Sequence, residues 1–251
     1  MAEDFIVHTE QLTKEFKGFV AVRDVNLNVQ RHTIHALIGP NGAGKTTVFN
    51  LLTKFLTPTR GKIFYKGQDI TGDHAAHIAR SGMVRSFQIS AVFPHLTVLE
   101  NVRLALQRNL GTSFHFWRSE STLRTLHERA EALLEAVGLG THSGAIAVDL
   151  PYGHKRALEI ATTLALEPEM MLLDEPMAGL GHEDIGRISG LIRKVARDRT
   201  VLMVEHNMDV VADLSDRITV MQRGEILAEG PYAEVSRDPR VMEAYVGTGH
   251  A

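Results

Sequence analysis

Gly39-Pro40-Asn41-Gly42-Ala43-Gly44-Lys45-Thr46 decides how the rest of this chain is read. It fits G-x-x-x-x-G-K-[ST]. A short apolar run, Ile34-His35-Ala36-Leu37-Ile38, precedes it, and Thr47-Val48-Phe49-Asn50-Leu51-Leu52 reads as a helix after it. A strand that turns through glycines into a helix makes an anion cradle. The glycines let the backbone wrap a phosphate closely, with successive N–H groups pointing inward. The helix N-terminus adds partial positive charge. In such a loop Lys45 reaches the β- and γ-phosphates and the Thr46 hydroxyl sits on Mg²⁺.

Outside the loop, the composition sets bounds. A chain of 251 residues forms one large domain, or a core with a smaller lobe. Its net charge of -3 does not advertise nucleic acid as a partner. The absence of cysteine excludes disulfides, thiolate metal sites and cysteine nucleophiles. No apolar run approaches the roughly 18 residues of a membrane helix. Met1-Ala2-Glu3-Asp4 lacks the basic and apolar regions of a signal peptide, so a cytoplasmic protein is expected.

Alternating apolar residues, Phe5-Ile6-Val7 and then Val20, Val22, Val25, Leu27 and Val29, predict short strands with a hairpin near Lys17-Gly18. Lys62-Ile63-Phe64-Tyr65 and the Lys66-Gly67 turn predict another. Met83 to Gln88 reads as a strand ending on a polar side chain. The pattern changes near Pro94. Thr97-Val98-Leu99-Glu100 is a capping-box signature opening a helix to about Gln107. Leu126, Ala130, Leu133, Leu134 and Val137 mark a second helix from Leu123, and Lys155–Leu166 a third, stopped by Glu167-Pro168. Met170-Met171-Leu172-Leu173 and Thr200-Val201-Leu202-Met203-Val204 are continuous apolar runs, as buried parallel strands are. A helix from His182 to Ala196 separates them.

The ends of those strands carry the remaining chemistry. Asp174 follows Leu173 and can hold the Mg²⁺ shell; Glu175 is placed to polarise an attacking water. His206 ends the next strand, on the side of the sheet where ligands bind, and can orient the water against the γ-phosphate. Gln88 can meet Mg²⁺ or the water without adding charge. His74 and His77 have metal-pair spacing but no third ligand.

This order of motifs resembles the ATP-binding subunit of ABC transporters over nearly the whole chain. The P-loop lies at 39–46, a Q-loop at Gln88, a signature region at 150–154, Walker B at 170–175 and a switch histidine at His206. The resemblance implies an α/β fold: a P-loop NTPase core with mixed sheet, an N-terminal antiparallel β subdomain and an inserted all-helical lobe. The nucleotide-binding core is expected over 1–88 and 161–251, and the helical subdomain, with the signature segment, over 89–160.

The resemblance implies ATP and Mg²⁺ as cofactors. Nucleotide would be held by Gly39, Pro40, Asn41, Gly42, Ala43, Gly44, Lys45, Thr46 and Thr47, with adenine against Phe16; the other reading of Phe16 is a core phenylalanine. Thr46, Gln88 and Asp174 would hold the metal, with Lys45, Gln88, Glu175 and His206 acting in catalysis. Leu150, Tyr152, Gly153 and His154 would contact the nucleotide of a second subunit, in a head-to-tail homodimer or homologous heterodimer. Two departures bear on that. Pro151 stands where the family has the signature serine, and Gly181 where it usually has aspartate.

Softer motifs narrow the resemblance to the ATPases of branched-chain (hydrophobic) amino acid uptake. They are Leu150-Pro151-Tyr152-Gly153, Arg85-Ser86-Phe87-Gln88, Glu175-Pro176-Met177-Ala178-Gly179-Leu180, Val204-Glu205-His206-Asn207-Met208 and Ala244-Tyr245-Val246-Gly247. Integral membrane subunits would then be partners, a periplasmic binding protein an indirect one, and the location the inner face of the plasma membrane. The alternatives are an ATPase of lipopolysaccharide-type export and a soluble non-transport ABC ATPase. Phe114-His115-Phe116-Trp117-Arg118 is an aromatic run that suits either a partner surface or the interior of its own lobe.

Overall fold

A computed structural model describes residues 4–86, 92–109 and 120–246. Gln88, the aromatic run Phe114–Trp117 and Gly247 lie outside them. The chain divides into two compact units, one of residues 1–83, 169–176 and 192–251, the other of residues 84–168 and 177–191.

The first unit carries an antiparallel sheet and a mostly parallel one. β1 (Phe5–Phe16) and β2 (Phe19–Val25) form the hairpin expected at Lys17-Gly18. Both turn residues have positive φ, 47° and 91°, the twist that suits a two-residue hairpin. β1 also pairs antiparallel with β3 (Asn28–Gln30) and β5 (Arg60–Tyr65), and β5 with β6 (Gln68–Asp69). One long strand therefore serves several partners, and it does so through irregularities. Gln11 takes a φ of 47°, and the pairing with β5 slips between Glu10 and Thr13.

The second sheet runs β11 (Glu225–Gly230), β10 (Arg217–Gln222), β4 (Ile34–Ile38), β9 (Thr200–Val204), β8 (Met170–Asp174), β7 (Met83–Ser86), the last being the strand expected from Met83. From β10 to β8 the pairs are parallel; β11 closes it antiparallel. Every residue of β4, β8 and β9 is buried, which is why those segments read as unbroken apolar runs. α1 (Lys45–Leu52) buries Val48, Phe49, Leu51 and Leu52, and α2 (Ala75–Arg80) buries Ile78. They join Val7, Leu12 and Val29 of the antiparallel sheet and Leu172 and Leu202 of the parallel one in a single core. This is the mixed-sheet α/β core with an antiparallel N-terminal subdomain that the sequence led us to expect.

The second unit is helical. α3 (Val98–Asn109) packs on α4 (Glu120–Ala136) and α5 (Tyr152–Leu164) through Val98, Val102, Leu106, Leu126, Ala130, Leu134 and Leu158. The capping box forms as its residues predict. The Thr97 amide donates to Glu100 Oε2 at 2.7 Å, and the Glu100 amide donates to Thr97 Oγ1 at 3.1 Å. Behind it the buried Asn101 side chain accepts from the Phe93 amide and donates to the Phe93 and Thr97 carbonyls. Arg156 and Glu159 form a buried ion pair at 2.7 Å. Burial raises the Glu159 pKa, and Arg156 opposes the rise.

Two boundaries differ from expectation. α5 begins at Tyr152 rather than Lys155, because Pro151 has the extended geometry of an N-cap residue and sets the chain into the helix. The helical unit also reaches beyond 89–160. It takes in residues up to Pro168, where the chain turns at Glu167 with a φ of 52°, and residues 177–191.

Candidate nucleotide site

All residues of the proposed phosphate cradle that fall within the described chain belong to the first unit. The loop from Gly39 to Gly44 joins β4 to α1 and is held by short backbone bonds: Ala43 N to Pro40 O at 3.1 Å, and Gly224 N to Ala43 O at 3.0 Å. Two glycines are required by space as well as by conformation. Gly39 has a φ of 144°, and a Cβ there would lie 2.1 Å from the Met221 carbonyl oxygen. Gly44 has a φ of 103°, and its Cβ would lie 2.8 Å from the Ala21 carbonyl oxygen. The loop is thus pressed against two strands on one side while Asn41, Gly42 and Thr46 face solvent.

Lys45 opens α1 and folds back over the loop. Its Nζ donates to Gly39 O at 2.6 Å and to Pro40 O at 3.0 Å. Burial lowers the lysine pKa, and the charges of Glu175 and Asp174 pull it back up. The ammonium therefore stands in the field of both carboxylates, although these lie far away in sequence.

Asp174 is the last residue of β8 and is nearly buried. Glu175 is not a continuation of that strand. It takes a left-handed φ of 48°, and its amide donates to the Val204 carbonyl at 2.9 Å. A non-glycine residue in that region stores strain, of order 1 kcal/mol or more, and such strain collects at functional sites. The turn aims Glu175 at the end of β9, where its Oε1 lies 3.9 Å from His206 Nδ1. The His206 turn is fixed by a residue that sequence reasoning passed over. Glu205 is 1% exposed, and its Oε2 accepts from the backbone amides of His206 at 3.1 Å and Asn207 at 3.3 Å. Its only sequence signal was a carboxylate standing next to the strand-end histidine. Asn207 then caps the helix Met208–Leu214, accepting from Asp209 N and Val210 N.

Phe16 ends β1 with 41% of its surface exposed, so it is not the core phenylalanine of the alternative reading. Lys14 Nζ lies 5.1 Å from the centre of its ring. Thr47 is half-buried, the Thr46 hydroxyl-bearing residue exposed. Thr46 and Asp174 offer a hydroxyl and a carboxylate, the oxygen donors a hard divalent cation takes. The cradle with its lysine suits a nucleotide's phosphates.

The segment 150–154 belongs to the helical unit. Leu150 is buried and Tyr152 exposed. Tyr152, Gly153 and His154 form the first turn of α5 rather than a loop before it. The His154 amide already donates to Pro151 O at 3.0 Å. That leaves the first two amides of the helix, on Tyr152 and Gly153, without an acceptor inside the helix; Tyr152 is exposed and Gly153 is buried beside Asp184.

A P-loop closing a parallel sheet, with a carboxylate pair and a histidine at the neighbouring strand ends, defines a nucleotide hydrolase of the P-loop class. Comparison with known proteins places it more closely. The family model "ABC transporter" matches residues 22–178, and the model "Branched-chain amino acid ATP-binding cassette transporter" matches residues 225–251. The chain is 40% identical to the high-affinity branched-chain amino acid transport ATP-binding protein BraF of Pseudomonas aeruginosa, over 96% of this chain and 98% of the relative. It is also 40% identical to the corresponding LivG protein of Escherichia coli, over 94% and 95%. Among solved structures, an ATP-binding cassette of an ABC transporter in its ADP conformation superposes with a TM-score of 0.85 at 30% identity, covering 97% of this chain and 99% of that one. A dimeric post-hydrolysis cassette bound to ADP and Pi gives a TM-score of 0.76 at 25% identity, covering 90% and 98%. The chain belongs to the ATP-binding subunits of ABC transporters, which are ATP hydrolases. Among the described residues no helix is long and apolar enough to cross a membrane.

Proposed function

We propose that this chain is the ATP-hydrolysing subunit of an importer for branched-chain or other hydrophobic amino acids. The observation that carries the catalytic part is the convergence of Lys45, Asp174, Glu175 and His206 at the ends of three adjacent strands and the start of α1. The names of the relatives and the match over residues 225–251 support the transport assignment over lipopolysaccharide-type export or a soluble non-transport role.

In this reading the P-loop amides and Lys45 hold the β- and γ-phosphates, Lys45 exchanging the Gly39 and Pro40 carbonyls for phosphate oxygens. Phe16 offers its exposed ring to adenine. Thr46 and Asp174, with Gln88, hold Mg²⁺, which when bound neutralises charge on the phosphates. Glu175 takes a proton from the attacking water, and His206 orients that water and the γ-phosphate. Two subunits close head-to-tail, so that the first turn of α5 of one meets the γ-phosphate held by the other. The dimeric cassette supports such an arrangement. Pro151 removes the signature hydroxyl, and Tyr152 and Gly153 supply the amides. The chain works on the inner face of the plasma membrane against integral membrane subunits, which a periplasmic binding protein feeds with solute.

The test is reconstitution with integral membrane subunits of a branched-chain amino acid importer, measuring ATP turnover and leucine uptake in vesicles. Uptake that depends on ATP and is abolished by Glu175→Gln supports the reading. ATP turnover without any uptake of aliphatic amino acids overturns the transport assignment.

A further inference from the structure

A cluster of polar side chains outside the nucleotide cradle surrounds the first turn of α5. Arg187, on the helix that begins at His182, places Nη1 3.1 Å from His154 Nε2 and donates through Nη2 to Asp184 Oδ1 at 3.0 Å. The His154 ring also lies against the ring of His142, with centroids 4.6 Å apart. Asp184 is pressed against the backbone of the signature segment. A Cβ built on Gly153 would fall 2.2 Å from Asp184 Cγ, so any larger residue would push that carboxylate from its present place. Tyr152 packs beside Gly179 in the same neighbourhood.

The electrostatics of this arrangement are specific. Burial, and then the charge of Arg187, lowers the His154 pKa, so the ring is neutral and Nε2 accepts from the guanidinium. Asp184 sets a negative charge beside Gly153, next to the exposed Tyr152 in the first turn of α5. A carboxylate there opposes any phosphate that approaches. Arg187 is the cation that balances it, held by the carboxylate on one arm and the imidazole on the other.

We propose that Arg187 is a positioning residue for ATP turnover, which masks the Asp184 carboxylate so that the first turn of α5, exposed at Tyr152, can receive the γ-phosphate held by a second subunit. The inference rests on the reading of residues 150–154 as the half-site that faces the partner's nucleotide. It assigns to the helix after Walker B a task that the missing signature serine leaves open: keeping the local charge compatible with phosphate. A merely structural clamp would behave differently. Removing Arg187 alone would expose an uncompensated carboxylate, whereas removing Arg187 and the charge of Asp184 together would leave the site neutral.

The experiment is steady-state ATP hydrolysis by the full chain in its transporter complex, with binding of a fluorescent ATP analogue to the isolated chain as the control for the P-loop. Arg187→Ala, or Arg187→Gln should the alanine variant melt early, is expected to raise KM for ATP about tenfold, the scale of one unmasked charge near another at an effective dielectric of about 20. Binding to the isolated chain should stay at the native value. Arg187→Ala with Asp184→Asn should return KM to within about twofold of native. A double variant as impaired as the single one overturns the proposal, because it would show a packing role. Tyr152→Asp separates the two layers of the argument, since it adds a carboxylate to the same turn without touching the Arg187 pair. If Tyr152→Asp raises KM and Arg187→Ala does not, the masking role is wrong while the half-site reading stands. If neither changes KM, the half-site reading fails and the proposal with it.

Discussion

At the scale of single residues, the backbone at Glu175 separates chemistry from folding. Its left-handed φ of 48° is a property of the turn and not of the carboxylate, so Glu175→Gln keeps the turn. That variant is expected to lose turnover by a factor of about 100 or more, as removal of a general base does, while binding ATP as the native protein does. Stopped-assay phosphate release and a binding titration check it; near-native release would remove Glu175 as the base. His35 gives a second residue-scale expectation. It is wholly buried in β4, with Nε2 2.8 Å from Thr219 Oγ1, and burial, helped by Arg217, lowers its pKa to about 3. The folded-state value lies below the unfolded one, so the unfolded chain binds the proton first as pH falls. The stability held by neutral His35 is full above about pH 6.5 and is lost as pH falls towards 3. Between pH 7 and pH 5 the loss is about 2 kcal/mol, at about 1.4 kcal/mol per unit. Urea midpoints at the two pH values measure it, and in His35→Gln the difference between them should shrink by about that amount. Equal slopes in the two proteins would exclude His35 as the source.

At the scale of elements, legibility followed burial. β4, β8 and β9 were readable because every one of their residues is buried, which forces an apolar run. The Thr97–Glu100 box was readable because capping is local chemistry; Thr97→Ala should cost about 1 kcal/mol in thermal or urea unfolding. The start of α5 was missed because Tyr152 and Gly153 are indifferent helix formers, and the helix there is set by Pro151 instead. The link from Arg187 to His154 joins two helices across 33 residues, a relation that no periodicity carries. The Arg156–Glu159 pair, also buried, makes a sharper prediction for α5. Arg156→Ala leaves a buried carboxylate alone and should cost about 3–5 kcal/mol, whereas Arg156→Met with Glu159→Leu should come within about 1 kcal/mol of native. Chemical denaturation of the three proteins decides it, and a double variant no better than the single one would refute it.

For the whole molecule, the sequence order of the motifs carried more than any one of them. The class was legible because a P-loop, two apolar strands with polar ends and a helical insertion come in one order, and the relatives match along nearly the full length. The limits of the helical unit were less legible. Residues 177–191 follow β8 directly in the chain yet cluster with the helices, and only contacts made far away in sequence assign them there. At this scale the expectation is assembly: the full chain with Glu175→Gln should form dimers in ATP and remain monomeric in ADP. Size-exclusion chromatography with light scattering reads the difference, and a monomer in ATP would argue against the shared site.

The bond from the Glu175 amide to the Val204 carbonyl has a wider consequence. Asp174 stands opposite Val204 where β8 and β9 pair, so the alignment of two apolar strands sets where the proposed base meets the proposed histidine. A slip of one residue between those strands would turn every side chain of one of them to the opposite face. The spacing on which water activation depends is thus a by-product of matching methionine, leucine and valine side chains in the interior. Precision in the chemistry is borrowed from the oil of the core, and conservative repacking far from any phosphate can detune the enzyme without touching a polar atom.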